Sequence, residues 1–204
     1  NRKVIGDITL PNDCDFEFRF PNTGGGAFGA GDFSSINSLT VGDNSEGNIK
    51  GNWLDILGNS TFGDRTSLRH VNPTRYLGDL TIGSTENEEF RFQQVCQVLG
   101  TITALGNTTD NTTMVIDNTP TFTDIIVPPS NFLRIRPDGD KTHTVTGNIN
   151  IGSGAKFYYG FGTSTVNVQG DIFVGLGALM ETYTRATFTI DGSVTLLTNS
   201  SWLL

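Results

Sequence analysis

The chain has 204 residues and a net charge of −8, which argues against nucleic acid as a partner, because phosphate binding needs clustered Lys and Arg. No apolar run approaches the roughly 20 residues that span a bilayer, so the sequence predicts no membrane insertion. Hydrophobic residues make up only 36%, whereas 25 glycines and abundant Thr, Asn and Ser favour short strands joined by tight turns.

A short phrase recurs along the chain: a glycine, a small polar residue and then alternating apolar positions. It begins at Gly6, Gly78, Gly100, Gly147, Gly170 and Gly192. From Gly78 onward the steps are 22, 47, 23 and 22 residues, and the step of 47 contains a degenerate copy at 123–127. A β-type period of this length is the signature of a solenoid, in which each coil contacts only its neighbours.

The best-preserved coils, 147–169 and 170–191, each divide into three extended segments with an alternating apolar pattern. The chain is therefore predicted to be all-β, a parallel β-helix with three short strands per coil of about 22 residues. The usual crossover preference favours a right-handed helix. Residues 1–204 form one domain in this prediction. One interior row is expected to hold Ile8, Leu80, Ile102, Ile125, Ile149, Ile172 and Val194, and a second Leu10, Ile82, Ala104, Val127, Ile151, Val174 and Leu196.

The first third of the chain is irregular. Insertions are predicted at about 22–38 and 58–76, and as loops on one face of a solenoid they are candidate binding segments. The start of the second coil stays open between Gly42, Gly47 and Gly51. Phe16, Phe18 and Phe20 alternate with charged residues and begin an aromatic side of the core.

Some aromatic residues have the opposite phase. Tyr158, Phe173 and Tyr183 are predicted to point outward, where they are candidates for stacking against sugars. The two cysteines, Cys14 and Cys96, fall at different phases of different coils, so both are interpreted as structural thiols rather than a disulfide.

Two outward rows follow the turn glycines. The first alternates Asp7, Asp79, Asp124 and Asp171 with Thr, Asn and Ser, and favours side chains that cap backbone groups over a catalytic carboxylate site. A second row contains Thr9, Thr81, Thr103 and Thr195, the pattern that ice binding would need. Ile126, Asn150 and Phe173 interrupt it.

A mixed charged cluster stands out in the coil at 123–146. Its members are Arg134, Arg136, Asp138, Asp140, Lys141 and His143. The basic ones are candidates for contacting an anionic sugar or a partner carboxylate, together with Tyr158 and Phe173, although alternating outward charges are also typical of a solvated strand. No catalytic set, metal-ligand spacing or cofactor motif is identified. Asn59, Asn107, Asn111 and Asn199 begin N-glycosylation sequons.

The phrases Gly147–Ala155, Val166–Val174 and Phe188–Leu196 resemble the β-helical repeats of large secreted bacterial surface proteins, such as filamentous adhesins, autotransporter passengers and Bacteroidota repeat proteins. The resemblance implies a non-catalytic structural or adhesive module at the cell surface. Such a module would bind a glycan or a protein, or assemble with further copies into a filament. The absence of an initiator Met leads us to expect a piece of a longer chain. The alternative is a carbohydrate-active β-helix enzyme, a polysaccharide lyase, hydrolase or phage depolymerase fragment.

Overall fold

The structure, a computed structural model, describes residues 3–20, 34–51, 53–85, 88–107, 111–137, 139–160, 163–182 and 185–203. Within these ranges every regular element is a strand, and no helix long and apolar enough to cross a membrane occurs. In chain order the strands are β1 (Lys3–Ile5), β2 (Ile8–Leu10), β3 (Asp15–Arg19), β4 (Ser34–Ile36), β5 (Leu39–Val41), β6 (Glu46–Lys50), β7 (Leu54–Ile56), β8 (Ser60–Phe62), β9 (Ser67–His70), β10 (Thr74–Tyr76), β11 (Leu80–Ile82), β12 (Phe90–Phe92), β13 (Cys96–Ala104), β14 (Thr112–Ile116), β15 (Thr121–Val127), β16 (Phe132–Pro137), β17 (Thr142–Val145), β18 (Ile149–Ile151), β19 (Lys156–Tyr159), β20 (Thr165–Val168), β21 (Ile172–Val174), β22 (Leu179–Thr182), β23 (Thr187–Ile190), β24 (Val194–Leu196) and β25 (Ser201–Leu203).

Three strands make up each coil and give a β-solenoid with three faces. Face 1 contains β1, β4, β7, β10, β17, β20 and β23, and face 2 contains β2, β5, β8, β11, β18, β21 and β24. The longer strands β13 and β15 turn the corner between faces 1 and 2, which therefore form one 16-stranded sheet. Face 3 is a separate sheet of nine strands, β3, β6, β9, β12, β14, β16, β19, β22 and β25. The strands pair in parallel with their counterparts in the next coil, which confirms the predicted parallel β-helix.

The strand register confirms the predicted repeat. Leu80 pairs with Ile102 and Ile172 with Val194, so that these coils take 22 residues each (102 − 80 and 194 − 172). The first interior row of face 2 is Ile8, Leu39, Ser60, Leu80, Ile102, Ile125, Ile149, Ile172 and Val194. From Leu39 to Ile172 every member is buried. Each apolar side chain in such a row contributes about 1.5–3 kcal/mol by leaving water, so stacked like residues hold the coils together.

The first third is more regular than its sequence predicts. Residues 60–76, where an insertion was expected, form β8, β9 and β10 of an ordinary coil, and Ser60 pairs with Leu80. The second coil opens at Asn37 instead of Gly42, Gly47 or Gly51, because Leu39 is the partner of Ile8. Asn37 stands at the position of the turn glycine, and Ser60 stands at the first apolar position of the next copy. Both copies of the phrase are therefore unrecognisable in the sequence alone. The insertion predicted at about 22–38 falls largely on 21–33, outside the described residues.

The Asp and Asn side chains beside the turns cap backbone groups, as predicted. Each accepts a hydrogen bond through Oδ1 from the backbone N–H of the equivalent residue one coil later, at 2.7–2.9 Å, in the pairs Asp79–Thr101, Asp124–Asn148, Asn148–Asp171 and Asp171–Ser193. Asp7 instead accepts from the side chains of Ser38 and Asn37, which lower its pKa. These acids therefore join coils to one another, and a structural role accounts for the row.

One carboxylate of face 1 is fully buried although it lies at an outward position of its strand. Asp55 in β7 is flanked by the inward Leu54 and Ile56, and its side chain is 0% exposed. The Arg75 guanidinium donates two hydrogen bonds to it, at 3.0 and 2.7 Å. The Trp53 indole N–H donates a third at 3.0 Å. A buried charge is tolerated only when its lone pairs are satisfied in this way.

Each of two buried histidines contacts a buried tyrosine on a different face of the solenoid. His70 of face 3 contacts Tyr76 of face 1, and His143 of face 1 contacts Tyr159 of face 3. Nε2 of His70 lies 2.8 Å from the Tyr76 hydroxyl, and the His70 ring stacks on Phe92 with centroids 4.5 Å apart. The Tyr159 hydroxyl forms a hydrogen bond with Nδ1 of His143. Burial disfavours the charged imidazolium, and it lowers the pKa of His70 to about 3 and that of His143 to about 4. Both histidines are therefore neutral in the folded protein near neutral pH.

These pKa values predict that acid destabilises the fold before most carboxylates titrate. Below pH 6.5 the unfolded chain protonates both imidazoles while the folded chain does not, so the free energy of unfolding falls as the pH falls towards about 4. Each histidine accounts for about 1 kcal/mol per pH unit in this window. Urea unfolding at pH 6.5, 5.5 and 5.0 measures the slope. The substitution His143→Gln, which keeps a polar partner for Tyr159 but does not titrate, should reduce the slope by about 1 kcal/mol per pH unit; an unchanged slope would contradict the assignment.

Candidate functional site

The outward side of face 3 carries a compact group of cations and aromatic rings on two adjacent strands. Phe132, Arg134 and Arg136 take the outward positions of β16, because Leu133, Ile135 and Pro137 take the inward ones. The Phe132 ring is nevertheless only 8% exposed, since Tyr158 and Arg134 pack against it. Lys156 and Tyr158 point outward from the neighbouring β19. The register sets Phe132 beside Lys156 and Arg134 beside Tyr158. We call these five outward residues the basic aromatic patch.

The rings of the patch hold one guanidinium in place. The central carbon of Arg134 lies 5.8 Å from the centroid of the Phe132 ring and 5.8 Å from that of Tyr158. The two rings meet edge to face, with centroids 4.8 Å apart. A cation over an aromatic face within about 6 Å is attracted by the ring quadrupole. Arg134 is exposed, so its N–H donors face solvent while the two rings flank the guanidinium.

The arginines of face 3 differ in their acidic partners. Arg136 donates to Glu89 at 2.7 Å. Arg91 forms ion pairs with Asp117, at 2.8 Å, and with Glu89, at 3.7 Å. Within the described residues Arg134 has no carboxylate partner, which distinguishes it from these two arginines. Arg134 is therefore a cation in contact with two rings whose charge no acid of the described ranges contacts.

The structure brings together some predicted contact residues and separates others. Arg134, Arg136 and Tyr158 meet in the patch. Lys141 is half-buried in the turn before β17, and Phe173 points outward from face 2 with 38% exposure. His143 is 0% exposed, so the prediction that it contacts a ligand is wrong: it shares the inward phase of Val145 in β17. Tyr183 and Asp138 lie outside the described residues.

Two members of the patch were not predicted as contact residues. The phase of Phe132 predicts a place in the aromatic part of the core, and its ring is 8% exposed as that predicts; Lys156 was not singled out. The alternation through Phe132, Arg134 and Arg136 would have shown that the phenylalanine shares the phase of two arginines. The pairing of β16 with β19 cannot be read from either strand alone.

A second surface feature of face 3 is acidic. Asp15 and Glu46 are register partners on β3 and β6, so their side chains project side by side from strands about 4.8 Å apart. Two adjoining open grooves of about 320 and 410 Å³ share Asp15 and Glu46; the larger is also lined by Glu17, and the smaller by Glu88. Hydrogen bonds from Lys50 and Arg19 lower the pKa of Glu17. The exposed carboxylates of Asp15, Glu17 and Glu46 therefore lie on β3 and β6, at the N-terminal end of face 3 and away from the patch.

The outward threonine row of face 2 is longer than predicted. The register inserts Thr40 and Thr61 between Thr9 and Thr81, so five threonines run without interruption from Thr9 to Thr103. The row then passes through Ile126, Asn150 and Phe173 before Thr195, as the sequence predicts. It is continuous only over the N-terminal half of the solenoid.

The four asparagines that begin glycosylation sequons differ in their surroundings. Asn59 accepts a hydrogen bond from the backbone N–H of Asp79 at 2.9 Å, and Asn111 accepts one from the Thr113 hydroxyl at 3.0 Å. Asn107 and Asn199 are exposed. Cys14 and Cys96 are free. Over the described part of the chain, no three His, Cys, Asp or Glu side chains are grouped so as to hold a metal ion.

Comparison of the chain with protein-family models, with curated proteins and with solved structures gives no match in any of the three. The geometry of the surface is therefore the basis on which a function is proposed.

Proposed function

We propose that the chain is a non-catalytic structural and adhesive module that binds a glycan through the outward side of face 3. The observation that carries the proposal is the basic aromatic patch, in which Phe132 and Tyr158 orient Arg134 on two paired strands. Aromatic rings and a guanidinium mounted on strands lose little freedom on binding, which favours affinity.

The rigid stacking of the coils supports the same proposal. Backbone hydrogen bonds, the Asp and Asn caps and the interior apolar rows all repeat from coil to coil, so a side chain on one strand has a fixed distance to those on the next. A scaffold of this kind presents binding groups at a constant spacing and does not need to close around its ligand. Exposure at a cell surface, as in the bacterial proteins whose repeats this chain resembles, is part of the proposal.

A paired screen tests this function. The protein is applied to a glycan array, and the same polysaccharides are incubated with it and assayed for new reducing ends and for unsaturated products. We expect binding without turnover. Binding to no glycan would contradict the adhesive proposal, and turnover would contradict the non-catalytic one.

A second candidate function, a carbohydrate-active enzyme, is favoured by the pair Asp15 and Glu46 beside an open groove. Two carboxyl groups across a glycosidic bond are the usual catalytic pair, at separations of about 5 to 9.5 Å. General acid catalysis, however, needs a carboxyl that stays protonated near neutral pH, which an apolar pocket provides. Both side chains are exposed. If the turnover assay is positive, the change Glu46→Gln should abolish it while Glu181→Gln, on the same face, should not.

A further inference from the structure

We infer that the basic aromatic patch binds a carboxylate group of an acidic polysaccharide, with Arg134 as the group that contacts the anion. The inference rests on the proposed glycan-binding function and names its ligand class. It depends on three observations: the ring contacts of Arg134, the lack of an acid in contact with it among the residues that the structure describes, and the local charge around it.

Orientation makes Arg134 a better anion ligand than a free surface arginine. Two rings at 5.8 Å restrict the guanidinium, so less side-chain entropy is lost when it forms two parallel hydrogen bonds. The planar fork of a guanidinium matches the two oxygens of a carboxylate. Arg69, on β9 of the same face, is an exposed arginine for which the structure shows no ring contact. It therefore serves as a matched comparison.

The local charge of the patch opposes that of the whole chain. The protein carries 21 Asp and Glu against 13 Lys and Arg, a net charge of −8. The outward positions of β16 and β19 instead hold Arg134, Arg136 and Lys156, and of these Arg136 pairs with Glu89. Glu181, on β22, lies one strand beyond Tyr158. A patch of positive charge on an acidic protein attracts a polyanion locally while the rest of the surface repels it, which fixes where the ligand binds.

The ring surface favours a sugar over an acidic peptide as the bearer of the carboxylate. The half-buried Tyr158 ring places accessible apolar carbon directly beside the guanidinium, while the Phe132 ring is only 8% exposed and packs edge to face against Tyr158. A uronic acid offers a carboxylate next to the apolar C–H face of its pyranose ring, so one residue of the polysaccharide can satisfy both features. A sulfated sugar shares the anionic oxygens but not the planar geometry that a guanidinium fork matches.

The test is isothermal titration of the full chain with polygalacturonate oligosaccharides at low and moderate salt. Matched ligands are the fully methyl-esterified oligosaccharide, a sulfated galactan and polyglutamate. Arg134→Gln should weaken binding of the acidic oligosaccharide about tenfold or more, and Arg134→Lys should recover only part of it because the fork is lost. Arg69→Gln should change Kd less than about threefold. Circular dichroism confirms that each variant folds.

Each outcome decides the inference. Weaker binding of Arg134→Gln to the acidic oligosaccharide, together with little binding of the methyl ester, supports it. Equal binding of the ester, an Arg134→Gln variant that binds like the parent, or tighter binding of the sulfated galactan or polyglutamate overturns it. If neutral glycans bind and acidic ones do not, the ligand class is wrong but the adhesive function stands. Binding to no glycan at all overturns the proposed function itself.

Discussion

Replacing Gly170 by alanine should lower the free energy of unfolding by about 3 kcal/mol, at the upper end of the overpacking range. An added Cβ would lie 2.4 Å from the carbonyl oxygen of Gly147 and 2.5 Å from Oδ1 of Asn148, both in the preceding coil. The Gly147 oxygen also accepts the hydrogen bond from the Gly170 N–H, at 3.1 Å. A backbone contact cannot be relieved by a change of rotamer, so the two coils must separate. Thermal unfolding should show a fall in Tm of roughly 5–10 °C.

Gly6 provides a matched control for this prediction. It holds the same position in the repeated phrase, but a Cβ at Gly6 would meet nothing within 4 Å. Gly6→Ala should be neutral or stabilise by up to about 1 kcal/mol, because alanine restricts the unfolded chain. An equal change in Tm for the two variants would contradict the claim that Gly170 is needed for the close approach of adjacent turns.

Replacing Asp55 by alanine should destabilise the protein by about 2–3 kcal/mol, less than the loss for a fully buried ion pair because the Arg75 side chain left behind is 28% exposed. The change removes the acceptor of two charged hydrogen bonds from Arg75 and of one hydrogen bond from the Trp53 indole N–H. Urea unfolding gives the difference in free energy. The double substitution Asp55→Ala and Arg75→Ala should be less destabilising than the sum of the single ones, because the second change removes the uncompensated charge.

An exposed ion pair on face 3 is the control for Asp55. Glu17 lies 2.6 Å from Lys50, with side-chain exposures of 30% and 41%. Glu17→Ala should leave the urea midpoint nearly unchanged, since water screens the pair and both side chains lose entropy in forming it. A loss at Asp55 no larger than the loss at Glu17 would contradict the structural role of the buried pair.

Much of the fold could be predicted from the sequence because its signal is periodic. The spacing of the turn glycines and the alternation of Ile149 with its neighbours both report local geometry, and they indicated the coil length and the interior rows. The Asp and Asn caps were predicted for the same reason, since a polar side chain beside a turn has few other partners. These features need only one coil to be recognised.

The parts that were missed depend on contacts between coils. Asn37 replaces the turn glycine of the phrase, and its register is revealed only by the pairing of Leu39, two residues later, with Ile8. Ser60 replaces an apolar residue of the phrase, and its register is revealed only by its pairing with Leu80. His143 was placed outward because it follows a run of charges, although its partner Tyr159 lies 16 residues away on another face. The burial of Asp55 and the meeting of Arg134 with Tyr158 likewise join different coils.

The most direct test of the proposed function is a crystal structure of the protein with a bound galacturonate oligosaccharide. We expect the sugar on face 3, with its carboxylate hydrogen-bonded to the Arg134 guanidinium and its ring beside Tyr158. An intact oligosaccharide at that position would establish the patch as the binding site of a non-catalytic module. A sugar bound instead between Asp15 and Glu46, or a cleaved product there, would contradict the proposal and identify the acidic groove as the functional site.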